Sequence, residues 1–519
     1  MRATLREEFE SALRRYADRI AIEHDGRRLT YAAVDRWSAA LAHQLREHGV
    51  GAGDPVALYL RNCAEFVVAD VAVARLGAVK VPVNHQLPEA TVTHVLSVVG
   101  ARALVLGTSL AEIGLRAARH VPGCAVLQVD DGGGDPQAGS VAMAGPPGVA
   151  PPRLGAPPLR PSDRAAVYFT GGTTGLPKGV VHSQTSAVTV HYAQIIEGEI
   201  AQDERLLLMT PLAHAAGLFA QSALIRGATC VIRDGFDAAE ALTLVRSAGI
   251  TWTFLVPTMI YRLLDIAGEH EDLALRTIVY GAAPIAPSRL ARGLEVFGRV
   301  FVQLFGQTEC PNWGTRLAKD DHDPARPELL GSCGRASIMA DVMVVDDAGE
   351  PLPAGETGEI CLKAPYTLDE YLDAPEATAA KFVGREDPAE WIRTGDIGFL
   401  GDGGYLYLRD RKNDMVISGG MNVYCREVED ALARHPSVAR VAVIGVPHDD
   451  WGEAMHAVVV PAGELDVPAL LTWARDELAA YARPKSVEIV EALPETPFGK
   501  IDKKELRAPH WAARDRAIG

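Results

Sequence analysis

The stretch Tyr168-Phe169-Thr170-Gly171-Gly172-Thr173-Thr174-Gly175-Leu176-Pro177-Lys178-Gly179 carries most of what can be read from this chain. It closes an apolar run, Ala165 to Phe169, that predicts a buried strand, and then passes into glycines and threonines that cannot continue one. Such a loop suits a polyphosphate. Gly171, Gly172 and Gly175 let the backbone approach closely and turn its N–H groups inward as an anion nest, Thr170, Thr173 and Thr174 add hydroxyl donors, and Lys178 adds a point charge. It is not a Walker A loop, because Pro177 precedes the lysine and no Ser or Thr follows it. A lone Gly-Gly-Thr-Thr-Gly is equally a flexible turn, so the phosphate reading depends on what the rest of the chain supplies.

Working outward, residues 28–48 carry Val34, Trp37, Leu41, Ala42 and Leu45 at helical spacing and stop at Gly49 and Gly51. The strand-like runs Val56–Leu60 and Ala78–Val83 alternate with helical patterns, which means an α/β fold with a largely parallel sheet. From Asp130 to Asp163 the chain turns to Gly, Pro and Ala and reads as a loose surface connection. Beyond the opening stretch, Leu206–Thr210 runs into a loop carrying His214 among Ala213, Ala215, Ala216 and Leu218. Two further strands end in Gly281-Ala282-Ala283-Pro284 and in Phe305-Gly306-Gln307-Thr308-Glu309. Ligands of parallel sheets bind at the carboxyl ends of strands, so these polar and glycine-rich tips belong together. Residues 331–411 change to short alternating strands split by Gly, Pro and Asp, as in a small barrel, and the remainder predicts a compact α+β unit.

With 519 residues the chain is too long for one simple core, and two or more domains are expected. A net charge of −16 argues against nucleic acid or an anionic membrane as the main partner. The seven cysteines are scattered without paired spacing, which suits a reducing cytosol and offers no zinc-cysteine framework. Acidic residues at the start do not fit a signal peptide, and no apolar run approaches a membrane span, so a cytoplasmic protein without a stable membrane anchor is expected.

Taken together, these motifs resemble the adenylate-forming superfamily of acyl-CoA synthetases, adenylation domains and luciferases, almost end to end and in the expected order. The resemblance implies a large N-terminal region of two αβ sheet layers plus a distorted β-barrel, with a small mobile α+β C-terminal domain. It implies an N-terminal AMP-binding domain at 1–410, a hinge at 411–413 about Asn413, and a C-terminal domain at 414–519. Thr170 to Gly175 and Lys178 match the phosphate loop, with Gly171 where serine is common. Gly281, Ala282 and Ala283 match the turn that packs on adenine, and Phe305, Gly306 and Gln307 lead to Thr308, implied to hold the α-phosphate, and Glu309, implied to bind Mg²⁺. Asp396, in Arg393-Thr394-Gly395-Asp396, is implied to accept both ribose hydroxyls, with Arg411 beside it. Lys500, in Pro494-Glu-Thr-Pro-Phe-Gly499-Lys500, matches the catalytic lysine, whereas Lys503 and Lys504 read as solvated. Gly420 matches the loop lining the pantetheine passage, and Cys425 departs from the proline usual there.

The resemblance implies ATP, Mg²⁺ and coenzyme A as cofactors. A carboxylate attacks the α-phosphorus, pyrophosphate leaves, and a thiol then displaces AMP, with Lys500 moving away as the small domain rotates. His214 is implied to sit near the acyl carbonyl. The small and apolar residues around it, with no acidic partner for an ammonium, favour a hydrophobic carboxylic acid over an amino acid. The expected partners are that acid and CoA or, alternatively, a carrier protein loaded in trans; an enzyme running only one half-reaction is the other alternative.

Overall fold

The computed structural model describes residues 3–130, 135–148, 151–152, 154–170, 176–269, 273–383, 391–411, 414–418, 421–448, 451–496 and 501–511. The calls at Gly171, Gly172, Thr173, Thr174, Gly175, Asn413, Gly420 and Lys500 therefore lie outside the described residues. The chain divides into two compact units, one of residues 1–342 and 362–392, the other of residues 343–361 and 393–519.

The first unit is built on an eight-stranded and a nine-stranded sheet. In the eight-stranded sheet, Pro55–Tyr59, Val79–Pro82, Ala103–Gly107 and Ala125–Val129 run parallel, as the β–α alternation requires. Arg164–Thr170 joins beside Val79–Pro82 in the same direction, and Lys178–Ser183 returns antiparallel to it. In the nine-stranded sheet, Arg205–Leu208, Thr229–Ile232, Trp252–Leu255, Thr277–Tyr280 and Phe301–Gln307 are parallel neighbours. Cys310–Leu317 then reverses against Phe301–Gln307.

The helix Ala64–Leu76 is buried at nearly every position, because apolar residues occur on all its faces and its buried acids are paired, Glu65 with Arg27 and Asp70 with Lys80. It shares one core with Tyr31–Glu47, Gln184–Glu197 and Ala215–Arg226. Val34, Trp37, Leu41, Ala42 and Leu45 form the buried stripe of Tyr31–Glu47, as their spacing predicts. Thr30, whose hydroxyl accepts from the Ala33 N–H, caps that helix.

In the second unit the short strands Gly358–Lys363, Trp391–Leu400 and Leu406–Arg411 belong to the barrel-like region, and a further sheet pairs Val438–His448 with Gly452–Pro461. Helices Cys425–Ala433 and Val467–Glu477 cover this sheet and close its core. Cys425 occupies the first position of its helix, where proline is favoured because the N–H has no helical acceptor. It is fully buried in that core, with its thiol directed at the Asp414 carbonyl at 3.1 Å, so a packed cysteine fills the place a proline ring would take. No helix among the described residues is long and apolar enough to cross a membrane.

Candidate active site

The two strands of the opening stretch close its loop at the base, with Thr170 opposite Lys178 and Phe169 opposite Gly179. His94 braces this base: its Nε2 donates to the Pro177 carbonyl at 3.1 Å and its ring meets Phe169 edge-on at 6.4 Å. The short strand Glu370–Tyr371 adds to the other side of Lys178–Ser183, placing Tyr371 opposite Val180. The Leu372 N–H donates to the Gly179 carbonyl at 2.8 Å and fixes that register. Lys178 Nζ then lies 5.4 Å from the centre of the Tyr371 ring, within cation–π range.

Thr308 and Glu309 form the turn of the hairpin joining Phe301–Gln307 to Cys310–Leu317. A Cβ on Gly306 would approach the Cys310 carbonyl oxygen to 2.7 Å, so only glycine permits this tight return. His182 holds the turn from behind. A carbonyl can only accept, so Nε2 donates to the Thr308 oxygen at 2.9 Å, and Nδ1 is left to accept from the Ser186 hydroxyl at 2.9 Å. Burial pushes the His182 pKa down and keeps the ring in this neutral form.

Glu309 is 7% exposed, and its Oε1 accepts from the Tyr371 hydroxyl at 2.5 Å. Burial, then the Glu309 charge, raises the Tyr371 pKa, so the phenol stays a donor. Lys381 Nζ lies 3.6 Å from the same Oε1 and 3.4 Å from Gln307 Oε1. Both contacts fall on Oε1, which leaves Oε2 for a hard cation, and a buried carboxylate beside a phosphate loop is the donor such a cation needs. Glu309 thus fits the Mg²⁺ that the resemblance implies. The result is a continuous line of Lys178, Tyr371, Glu309 and Lys381.

His214 caps the helix Ala215–Arg226 and is half-buried. Its Nε2 lies 3.1 Å from Asn84 Nδ2, while Asn84 Oδ1 accepts from the Gln86 N–H at 2.9 Å. The Asn84 amide is thereby oriented to donate, so Nε2 is the accepting nitrogen of His214 and a neutral ring carries its proton on Nδ1. A Cβ on Gly217 would collide with the Leu212 carbonyl, which explains the glycine after His214. Gly281 is held the same way, since its Cβ would come within 2.5 Å of the Leu304 carbonyl oxygen. Ala282 is exposed with φ at 65°, a conformation alanine rarely adopts, and it turns the Gly281–Ala283 backbone outward at the strand end.

In the second unit, Asp396 and Arg411 are cross-strand partners on Trp391–Leu400 and Leu406–Arg411, with Arg411 Nε 3.6 Å from Asp396 Oδ1. The Asp396 N–H donates to Thr394 Oγ1 at 3.0 Å, and that hydroxyl donates to the Ile360 carbonyl at 2.7 Å. Gly395 adopts φ of 77°, and its N–H donates to Glu359, whose other oxygen pairs with Arg393 at 2.9 Å. The Arg-Thr-Gly-Asp segment is therefore fixed by Thr394 from within and by Glu359 and the Ile360 carbonyl from the neighbouring strand.

The reading of Lys503 as solvated is corrected. Its Nζ meets Glu429 Oε1 at 2.7 Å in a largely enclosed group with Asp410 and Asp414. Burial opposes its charge, but Glu429 and the neighbouring acids outweigh burial and raise its pKa.

Tyr371, Lys381, Asn84 and His182 were missed from sequence. Asn84 follows the strand Val79–Pro82, so a polar residue at a strand's carboxyl end was the available signal. Tyr371 stands 62 positions from Glu309 and gave none.

The class of protein follows from the family models. Residues 9–372 match the AMP-binding enzyme model and residues 427–500 match the AMP-binding enzyme C-terminal domain. The chain belongs to this adenylate-forming superfamily. It is 40% identical to a medium/long-chain-fatty-acid–CoA ligase of Mycobacterium tuberculosis, over 71% of this chain and 65% of that protein. It is 36% identical to a feruloyl-CoA synthase of an Amycolatopsis species, over 94% of this chain and 95% of that protein. Among solved structures, the amide bond synthetase of Marinactinospora thermotolerans superposes with a TM-score of 0.87 at 32% identity, covering 97% of this chain and 99% of that one.

Proposed function

We propose that this protein is an AMP-forming ligase that converts a hydrophobic carboxylic acid to an acyl-adenylate and then to its CoA thioester. The observation that carries the reading is the line Lys178–Tyr371–Glu309, in which a cation over the Tyr371 ring and a buried carboxylate on its hydroxyl meet beside the Lys178 end of the loop. Full-length similarity to a feruloyl-CoA synthase supports CoA as acceptor.

In this reading ATP lies with its β- and γ-phosphates on the Thr170–Lys178 loop and adenine against Gly281–Ala283. Thr308 orients the α-phosphate, and the ribose hydroxyls go to Asp396 and Arg411. Mg²⁺ at Glu309 would supply positive field to the phosphate oxygens. The barrier is the meeting of two anions, so fixed donors aimed at the developing charge do most of the work. Lys178 supplies one such charge, and Lys500 is assigned the α-phosphate. His214, oriented by Asn84, is assigned to the acyl carbonyl. In the second step the thiol sulfur bonds to that carbonyl carbon as the bond to AMP breaks, with domain rotation about Asn413 and Gly420 lining the thiol's path. The amide bond synthetase neighbour favours a second reading, in which an amine takes the acyl group.

The test offers the purified chain ATP, Mg²⁺ and a panel of aliphatic and aryl acids, with CoA, a phosphopantetheinylated carrier protein or an amine as acceptor, and identifies products by mass spectrometry. Acyl-CoA and AMP in equal amounts are expected. AMP formation with product only from the amine or carrier would overturn the CoA assignment, and no AMP with any acid would overturn the whole reading.

A further inference from the structure

The helix Lys503–Trp511 begins three positions after Lys500 and is pinned to the second unit along one stripe. Lys503 pairs with Glu429 at 2.7 Å, Arg507 Nη2 donates to Asp414 Oδ1 at 2.7 Å, and Trp511 Nε1 donates to the Gly445 carbonyl at 3.0 Å. These residues are four apart and share a face. Leu506 and His510 form the neighbouring stripe, with Leu506 packed on Ala442, Val458 and Leu493.

At the end of that stripe the His510 ring lies 4.8 Å, centre to centre, from the ring of His456. His456 is 6% exposed on the strand Gly452–Pro461, opposite Ser486 of the parallel strand Ser486–Ile489. Its Nδ1 pairs with Ser486 Oγ at 2.7 Å, and its Nε2 lies 3.3 Å from Glu488 Oε2. Ser486 and Glu488 alternate along their strand and so face the same side. One ligand atom from each of His456, Glu488 and His510 lies within 4.8 Å of the other two, the group of this kind found among the described residues.

We propose that His456, Glu488 and His510 bind a zinc ion that staples the helix Lys503–Trp511 to the sheet beneath it. Two imidazoles and one carboxylate, with water in a fourth position, form a donor set zinc accepts, whereas Mg²⁺ and Ca²⁺ favour oxygen alone. Metal–ligand bonds of about 2.1 Å put neighbouring ligand atoms of a tetrahedron about 3.4 Å apart. The observed 3.3 Å between His456 Nε2 and Glu488 Oε2 is such an edge. Glu488 can only accept, so Nε2 now carries the His456 proton; zinc would displace it, and Nδ1 would then donate to the Ser486 hydroxyl, which is how an outer hydroxyl orients a ligating imidazole. His510 offers the third ligand atom from within 4.8 Å of the other two.

The consequence reaches the sequence around Lys500. Glu495 and Ile501 form an antiparallel bridge, and the Asp502 N–H donates to the Pro494 carbonyl at 2.8 Å, so the described residues that flank Lys500 in sequence are fixed against each other. Holding the far end of the helix holds the second of those flanks.

The experiment titrates Zn²⁺ into the chelator-stripped full chain against a chromophoric competitor, repeats it with Co²⁺ read by visible absorption, and records melting with and without Zn²⁺. About one tight equivalent, a Co²⁺ spectrum of four-coordinate character and a raised melting temperature are expected. His510→Ala, at a helix end, should weaken binding at least about tenfold and abolish both the spectrum and the melting shift. Glu488→Gln, on a half-exposed side chain, is the second variant and should weaken binding similarly. No binding to the parent chain, or binding undiminished in both variants, would overturn the proposal; the latter would place the ion at a cysteine or elsewhere.

Discussion

Glu309 sits in a hairpin turn with its Oε1 committed to a buried phenol and a nearby ammonium, whereas Asp396 lies mid-strand opposite an arginine whose side chain is half exposed. Glu309 takes no part in a cross-strand pair and is held by residues distant in sequence. Asp396 is held by Thr394, two residues away, and by Arg411 across a single ladder. The first arrangement fixes one carboxylate oxygen and allows little exchange. The second leaves a carboxylate in a weak, partly exposed ion pair at 3.6 Å.

The contrast can be broken by mutation. Glu309→Gln keeps the shape but removes the charge a metal needs, and adenylation should fall about 10²- to 10³-fold in kcat with little change in the KM for ATP. If KM rises instead, Glu309 binds the ground state and the contrast fails. Asp396→Asn should do the reverse, raising the KM for ATP about tenfold with kcat nearly kept, since it removes binding shared by ground and transition states. Tyr371→Phe removes one hydrogen bond to Glu309 and should slow adenylation about fivefold; an unchanged rate would show that Lys381 alone sets the carboxylate.

A smaller effect comes from the neutral histidines of the first unit. Burial lowers the pKa of His182, of His322 to about 4 and of His191 to about 3. The unfolded chain, with histidine near 6.5, then binds more protons, so stability is complete above about pH 6.5 and declines as pH falls toward the folded-state values. Denaturant melts near pH 7 and about two units lower should show that loss, and replacing His322 by Gln should flatten it.

The parallel strands were legible because runs such as Ala165–Phe169 and Thr277–Tyr280 are apolar at strand length and end in glycine or threonine. The return strand Cys310–Leu317 was not, because Pro311, Asn312 and Gly314 argue against a strand, and only burial in the sheet overrides them. Tyr371 was hidden for a topological reason. It falls within a region that reads as barrel, yet residues 362–392 return to the first unit and add an edge strand beside the phosphate-loop hairpin. Lys503 was misread because a lysine's usual fate is solvent, and its partner acids lie some 70 or more positions upstream.

The most direct measurement is acid-dependent exchange of labelled pyrophosphate into ATP, comparing the parent chain with Glu309→Gln across the carboxylic acid panel. Exchange with at least one hydrophobic acid, reduced about 10²-fold or more in the variant, is the predicted result. Exchange of equal rate in both proteins would contradict the central place given to the Lys178–Tyr371–Glu309 line.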